Sequence, residues 1–262
     1  MMNLPQVNKA SHITALLLLI LKGFLLPVSS SASSKLIDDL IRDQRNFYSV
    51  DRLFRIGVAF GIGATMANST FDEKVQNYYQ DHIRNSGSDA FSKGVRIFGD
   101  GKYLVPISFA LASISFIQED SLIGDFGYKI FRSYIAGGLP LLATQRLTGA
   151  GRPGEHDHGS KWRPLDDGNG VSSHAFIGAV PFLVAARMND NSFIKYALYA
   201  ISLAPAFSRI NDNAHYFSQA ALGWYIAYES TGAVFDTEKN KSISIVPMIG
   251  QNTYGVTFLV PW

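Results

Sequence analysis

Val171-Ser172-Ser173-His174-Ala175-Phe176-Ile177-Gly178-Ala179-Val180-Pro181-Phe182-Leu183-Val184-Ala185-Ala186-Arg187-Met188 decides how the rest of this chain is read. Ser172 stands where a helix N-cap belongs, and an apolar run from Ala175 to Ala186 follows it. A helix that is apolar all round has to be buried. The run is shorter than the ~20 residues that a hydrocarbon core demands, so the spacing predicts a core helix of a bundle. Its opening turn carries Ser173 and His174 and leaves backbone N–H groups free to meet an anion.

Working outward, helices are predicted over Ser34 to Asn46, Val50 to Ala67, Ser88 to Phe98, Tyr103 to Ile117, Leu122 to Leu147, Ser172 to Met188, Ser192 to Phe207 and Ala214 to Glu229. Thr70 and Glu73 form a capping-box pattern that opens a further polar helix to about Arg84. A long loop rich in Gly, Pro, Asp and His runs from Thr148 to Gly170, and loops of that length inside a domain are usually functional or mobile. At the end of the chain, Ser242–Val246 and Tyr254–Val260 alternate with period two around Gly250–Thr253, the pattern of a hairpin. The fold class expected is mostly α, a helical bundle with a C-terminal β-hairpin.

The chain has 262 residues, 47% hydrophobic and 17% charged, with net charge +2 and no cysteine. Thiolate chemistry, disulfides and cysteine metal sites are excluded. The balanced charge gives no nucleic-acid footprint. The apolar composition points to contact with a membrane surface. Lys9 and His12 precede the apolar run Ile13 to Leu21, Phe24 to Val28 resumes it after Lys22, and Ser29–Ser33 supplies small residues. That layout predicts an export signal over residues 1–32, cut after Ala32, and a protein of the periplasm or envelope membranes. A helical domain over 33–235 and a hairpin segment over 236–262 complete the expected organisation.

Three separated segments carry chemistry. Gln145-Arg146-Leu147-Thr148-Gly149-Ala150-Gly151-Arg152-Pro153 offers an arginine in a glycine-rich turn. Val171–His174 offers a serine pair and a histidine at a helix start. Ser208-Arg209 is followed by His215. Arginine donates paired hydrogen bonds to phosphate oxygens and stays charged. Histidine transfers protons and can itself attack phosphorus. Glu155-His156-Asp157-His158 reads as a solvated loop near the site mouth, with Trp162 and Arg163 at the entrance; no metal site is assigned.

In this order and spacing the segments resemble the type 2 phosphatidic acid phosphatase superfamily, which also holds bacterial acid phosphatases and vanadium haloperoxidases. Its motifs are a lysine, six residues and Arg-Pro; Pro-Ser-Gly-His; and Ser-Arg, five residues, His, three residues, Asp. Arg152-Pro153, Ser172, His174, Ser208, Arg209 and His215 match, whereas Gln145, Val171, Ser173 and Gln219 depart. The resemblance implies the acid phosphatase type of bundle and hydrolysis of a phosphorylated lipid or related small phosphate ester. In that scheme His215 is the nucleophile and His174 the acid and base, with position 219 orienting His215. Arg152, Arg209, Ser172, Ser173 and Gln145 cradle the phosphate, and no cofactor is needed. Asp212 reads as a helix N-cap or as a substitute for the missing aspartate. Because Gln145 and Gln219 both lack charge, the alternative implied is a catalytically impaired protein of the same fold that binds phosphate or lipid head groups.

Overall fold

The computed structural model describes residues 30–118, 120–155, 158–241, 244–250 and 253–259. Helix α1 is Ser30–Phe47 and α2 is Val50–Ala67. Helix α3, Phe71–Tyr78, ends in a π-helical turn over Tyr79–Ile83. Helix α4, Ser86–Val95, ends in a 3₁₀ turn over Arg96–Gly99. Helices α5 (Gly101–Ser115), α6 (Leu122–Thr148), α7 (Ser173–Arg187), α8 (Ser192–Ile201), α9 (Ala204–Asn211) and α10 (Phe217–Lys241) follow. Strand β1, Ser244–Gly250, pairs antiparallel with β2, Thr253–Leu259. The protein is mostly helical. Asp39–Trp262 forms one compact unit; of the preceding unit only residues 30–38 are described, as the start of α1. The export signal, apart from its last residues Ser30–Ala32 at the start of α1, lies outside the described residues.

Helix α7 is the core helix its sequence predicts. Phe176, Ala179, Val180, Leu183 and Val184 are buried with Leu222 and Ile226 of α10 and with Ile130, Tyr134 and Leu141 of α6. The Tyr134 hydroxyl donates to the Ile177 carbonyl at 3.0 Å. Where α6 ends, Gly149 has φ 59°, and an added Cβ there would lie 1.7 Å from the Arg163 carbonyl oxygen. Only glycine fits, and it turns the chain out of α6 into the loop that carries Arg152.

Several boundaries differ from the sequence reading. Thr70 makes no side-chain cap; the capping box belongs to Asn85 and Ser88, which exchange hydrogen bonds at the start of α4. The helix expected over Ser192 to Phe207 breaks at Ser202 and restarts at Ala204 with Pro205 in its first turn, because proline cannot donate within a continuing helix. Helix α10 runs to Lys241, past both the expected end at Glu229 and the expected domain boundary at 235. Polar contacts join the buried Ala233 and Val234 in holding those last turns. Asp236 pairs with Arg52 at 2.7 Å, and Thr237 Oγ1 accepts from Asn46 Nδ2 at 2.8 Å.

Two buried ion networks brace the helices. Arg132 of α6 is fully buried and forks onto Asp43 of α1 at 2.8 and 2.7 Å, and it also reaches Glu238 of α10. Arg52 and Arg55 of α2 share Glu229 of α10, Arg55 through bonds of 2.9 and 3.0 Å. Among the described residues no single helix is long and apolar enough to cross a membrane. Ser86–Gly99 with Gly101–Ser115, bent by 50°, passes that test only as a pair.

Burial raises the Asp43 carboxyl above its ordinary range, against the opposing pull of Arg132. Arg132→Met therefore leaves a buried carboxylate unpaired and is expected to lose about 3–5 kcal/mol at pH 7 in denaturant unfolding. A raised carboxyl favours the folded chain at low pH, so the deficit relative to wild type should shrink as pH falls and Asp43 takes up its proton.

Candidate active site

The three chemical segments meet at one residue, Gln219 in the first turn of α10. It is fully buried. Its Oε1 accepts the Tyr216 backbone N–H at 3.1 Å, which fixes the amide orientation because a backbone N–H can only donate. Its Nε2 consequently faces the Gly151 carbonyl and donates to it at 2.8 Å. The same Oε1 sits 3.0 Å from His215 Nδ1. An amide oxygen only accepts, so His215 carries its proton on Nδ1 and keeps the lone pair on Nε2. The Gln219 backbone carbonyl accepts the Ser172 N–H at 2.9 Å. One residue thus ties the loop before Arg152, the turn before α7 and the His215 ring together.

His215 is delivered by the end of α9. The Arg209 carbonyl accepts both the Ala214 and the His215 backbone N–H, at 2.9 and 3.1 Å, while Asn213 reverses the chain at φ 54°. The spacing between Arg209 and His215 is therefore one helix end plus a tight reversal that keeps both on one site. His174 lies in the first turn of α7, against the 3₁₀ turn after α4. A Cβ added at Gly99 would stand 2.4 Å from the His174 ring.

Charge interactions link these groups. Burial first, then Arg152, Arg209 and His174, lower the His215 pKa to about 3, while the Gln219 hydrogen bond opposes the shift. Burial and then Arg209 lower His174 to about 4, with Arg96 and Arg152 adding to the effect and Asp100 opposing it. Burial, Arg96 and Arg152 also lower Arg209, against the pull of Asp212. Arg152, Arg209, His174 and His215 thus lie within electrostatic reach of one another. Arg209 Nε and Nη1 and Arg152 Nε are buried without a hydrogen-bond partner. Their nearest carboxylate contacts are long, 3.6 Å from Arg209 to Asp212 and 3.9 Å from Arg152 to Glu155. Buried donors left open are costly, and a cluster of them suits an anion with several acceptor oxygens.

The remaining expectations need correction. Gln145 spends both hydrogens of Nε2, on the Val171 carbonyl and on Ser173 Oγ, each at 2.7 Å. It has no donor left for a phosphate and instead fastens the end of α6 to the start of α7; Ser173 is its acceptor. Ser172 Oγ is the N-cap, accepting the Ala175 N–H at 3.3 Å; an accepting hydroxyl keeps its own hydrogen, so the O–H groups of Ser172 and Ser173 remain donors beside the backbone amides of Ser173 and His174. Asp212 follows the end of α9 and neither caps a helix start nor reaches His215. Its carboxylate accepts from Ser92 Oγ at 2.6 Å and stands 3.6 Å from both Arg209 and Arg96. Trp162 packs on Phe60 in the core cluster and does not line the entrance. His158 is buried, not solvated, while His156 and Asp157 lie outside the described residues. Sequence reasoning missed Arg96 and Asp100, which belong to no motif and come close because the 3₁₀ turn Arg96–Gly99 packs on α7 while α4 packs on α9.

Gln219→Glu is expected to weaken the fold by about 1–3 kcal/mol at pH 7 in denaturant unfolding, because a carboxylate oxygen replaces the donor to Gly151. The loss should shrink at low pH, where a protonated carboxyl donates again. Both wild-type imidazoles should show no NMR titration between pH 8 and pH 5. Their depressed pKa values add stability that is complete above about pH 6.5 and is lost as pH falls towards 4 and 3, where the unfolded chain takes the protons. No protein-family model matches this chain, and no curated protein or solved structure is significantly similar to it.

Proposed function

We propose that this protein is a phosphatase of the acid phosphatase type of helical bundle with a terminal hairpin. It hydrolyses a phosphorylated lipid or a related phosphomonoester or diphosphate through a phosphohistidine on His215. The observation that carries the reading is the set of buried, unpartnered N–H groups on Arg152 and Arg209 beside an imidazole held as its Nδ1–H tautomer. His215 Nε2 attacks phosphorus, the bond to the leaving oxygen breaks, and His174 gives that oxygen a proton. Water then loses a proton to His174, bonds to phosphorus and releases His215. The arginines and the Ser173 and His174 amides hold the equatorial oxygens.

A bound phosphate dianion offsets the arginines and raises both imidazoles, so His174 gains its proton in company with substrate. Gln219 orients His215 without stabilising its positive charge. Papain-like enzymes work with a neutral orienter in the comparable place.

Exposed Val50 and Phe54 on α2, and Phe193 and Tyr196 on α8, favour contact with a membrane surface, in keeping with an envelope location. A second reading has one observation in its favour: with both Nε2 hydrogens of Gln145 engaged, the site lacks the cation that the resemblance places there. On that reading the pocket binds phosphate or lipid head groups without turnover.

Phosphate release from a panel of lipid and soluble phosphates separates the readings. Wild type should hydrolyse at least one substrate, be inhibited by vanadate and be unaffected by chelators. His215→Ala should abolish turnover, and His174→Ala should slow it by about 10²–10⁴. Full activity in His215→Ala overturns the mechanism, and vanadate binding without turnover on any substrate selects the second reading.

A further inference from the structure

The geometry points to Arg96 as a third cationic ligand of the anion pocket, supplying the charge that Gln145 does not. The inference rests on the phosphate-site reading of the previous subsection and adds a residue that no motif contains.

Three observations place Arg96 at the pocket. It opens the 3₁₀ turn Arg96–Gly99, in which side chains three apart eclipse, so Arg96 and Gly99 share a face. That face is the one against His174, because Gly99 is so close that a Cβ there would stand 2.4 Å from the ring. Arg96 Nη1 also stands 3.6 Å from Asp212 Oδ2, the same oxygen that Arg209 Nη1 approaches at 3.6 Å. The two guanidinium groups flank one carboxylate oxygen, and that oxygen makes no hydrogen bond. Neither contact is short enough to satisfy an arginine. The lowering of both His174 and Arg209 by Arg96 agrees with this placement.

Asp212 is fixed by Ser92 Oγ at 2.6 Å and so cannot follow either arginine. It holds the two cations near the pocket at long range without filling their donor positions. A tetrahedral oxyanion seated between Arg152 and Arg209 offers Arg96 the acceptors that Asp212 does not. The Arg96 side chain is 56% exposed, which puts it at the pocket mouth and leaves it free to swing onto an oxygen. Gln145 is locked to the turn before α7, so the missing charge is restored from a different element of the fold.

Orthovanadate binding by the full chain, read by calorimetry, is the test, with phosphate release beside it. Arg96→Ala should weaken vanadate binding by about tenfold to a hundredfold, the cost of one charge-assisted contact. Arg96→Lys should recover part of the loss, since it keeps the charge but not the fork. Lys93→Ala removes an exposed cation one helical turn earlier and should bind vanadate as wild type does. Equal binding by Arg96→Ala and wild type overturns the role of Arg96 and leaves the phosphate site standing. Equal weakening in Lys93→Ala also overturns it, because the effect is then general surface charge. No vanadate binding by wild type overturns the site and this role together.

Discussion

The site depends on the obligate direction of one buried amide. Gln219 cannot flip, because the Tyr216 N–H demands an oxygen and the Gly151 carbonyl demands a donor. With that orientation set, the His215 tautomer follows, and the Gln219 backbone carbonyl holds the turn before α7. Three segments far apart in the chain are thereby held to a single register by hydrogen bonds from one residue. In a buried network of this kind each bond matters more than its usual net worth, since any broken member leaves an unsatisfied group behind.

The arginines of this protein divide by whether their donors are met. Arg132 and Arg52 are deeply buried and closely paired with carboxylates from other helices, so they brace the scaffold. Arg152 and Arg209 keep buried N–H groups open, and the carboxylates near them stay at arm's length. The difference is electrostatic as well as geometric. The pocket gathers cations and two imidazoles in a poorly solvated place, which disfavours further positive charge and favours an anion. Neutral histidines are the consequence, and they are the form from which a nitrogen can attack or accept a proton.

The departures from the resembled motifs are not isolated losses. Gln145 and Ser173 depart together and bond to each other at 2.7 Å. Gln219 donates to Gly151, a bond that an aspartate carboxylate has no hydrogen to make. Gln219 is built into its surroundings by a donor that an aspartate carboxylate lacks, and Gln145 by two hydrogen bonds from one amide nitrogen. The charge balance of the pocket is then a matter for the helices around it, and Arg96 and Asp212 carry it.

The mostly helical class and the core placement of α7 were legible in the sequence, because hydrophobic periodicity and an N-cap serine act locally. So was the helix start at Ser173, whereas the helix end between Arg209 and His215 lies past the end expected at Phe207. The extension of α10 to Lys241 and the partners of Gln145 were not legible, since each is fixed by residues distant in the chain; the break at Ser202 comes from Pro205, a local signal that the apolar periodicity around it masks. Sequence alone determined which groups are able to bind an anion. Only the tertiary structure decided which of them are free to do so, because a donor's availability depends on what packs against it. That is why Gln145 is occupied, Arg209 is open, and Arg96 stands beside His174.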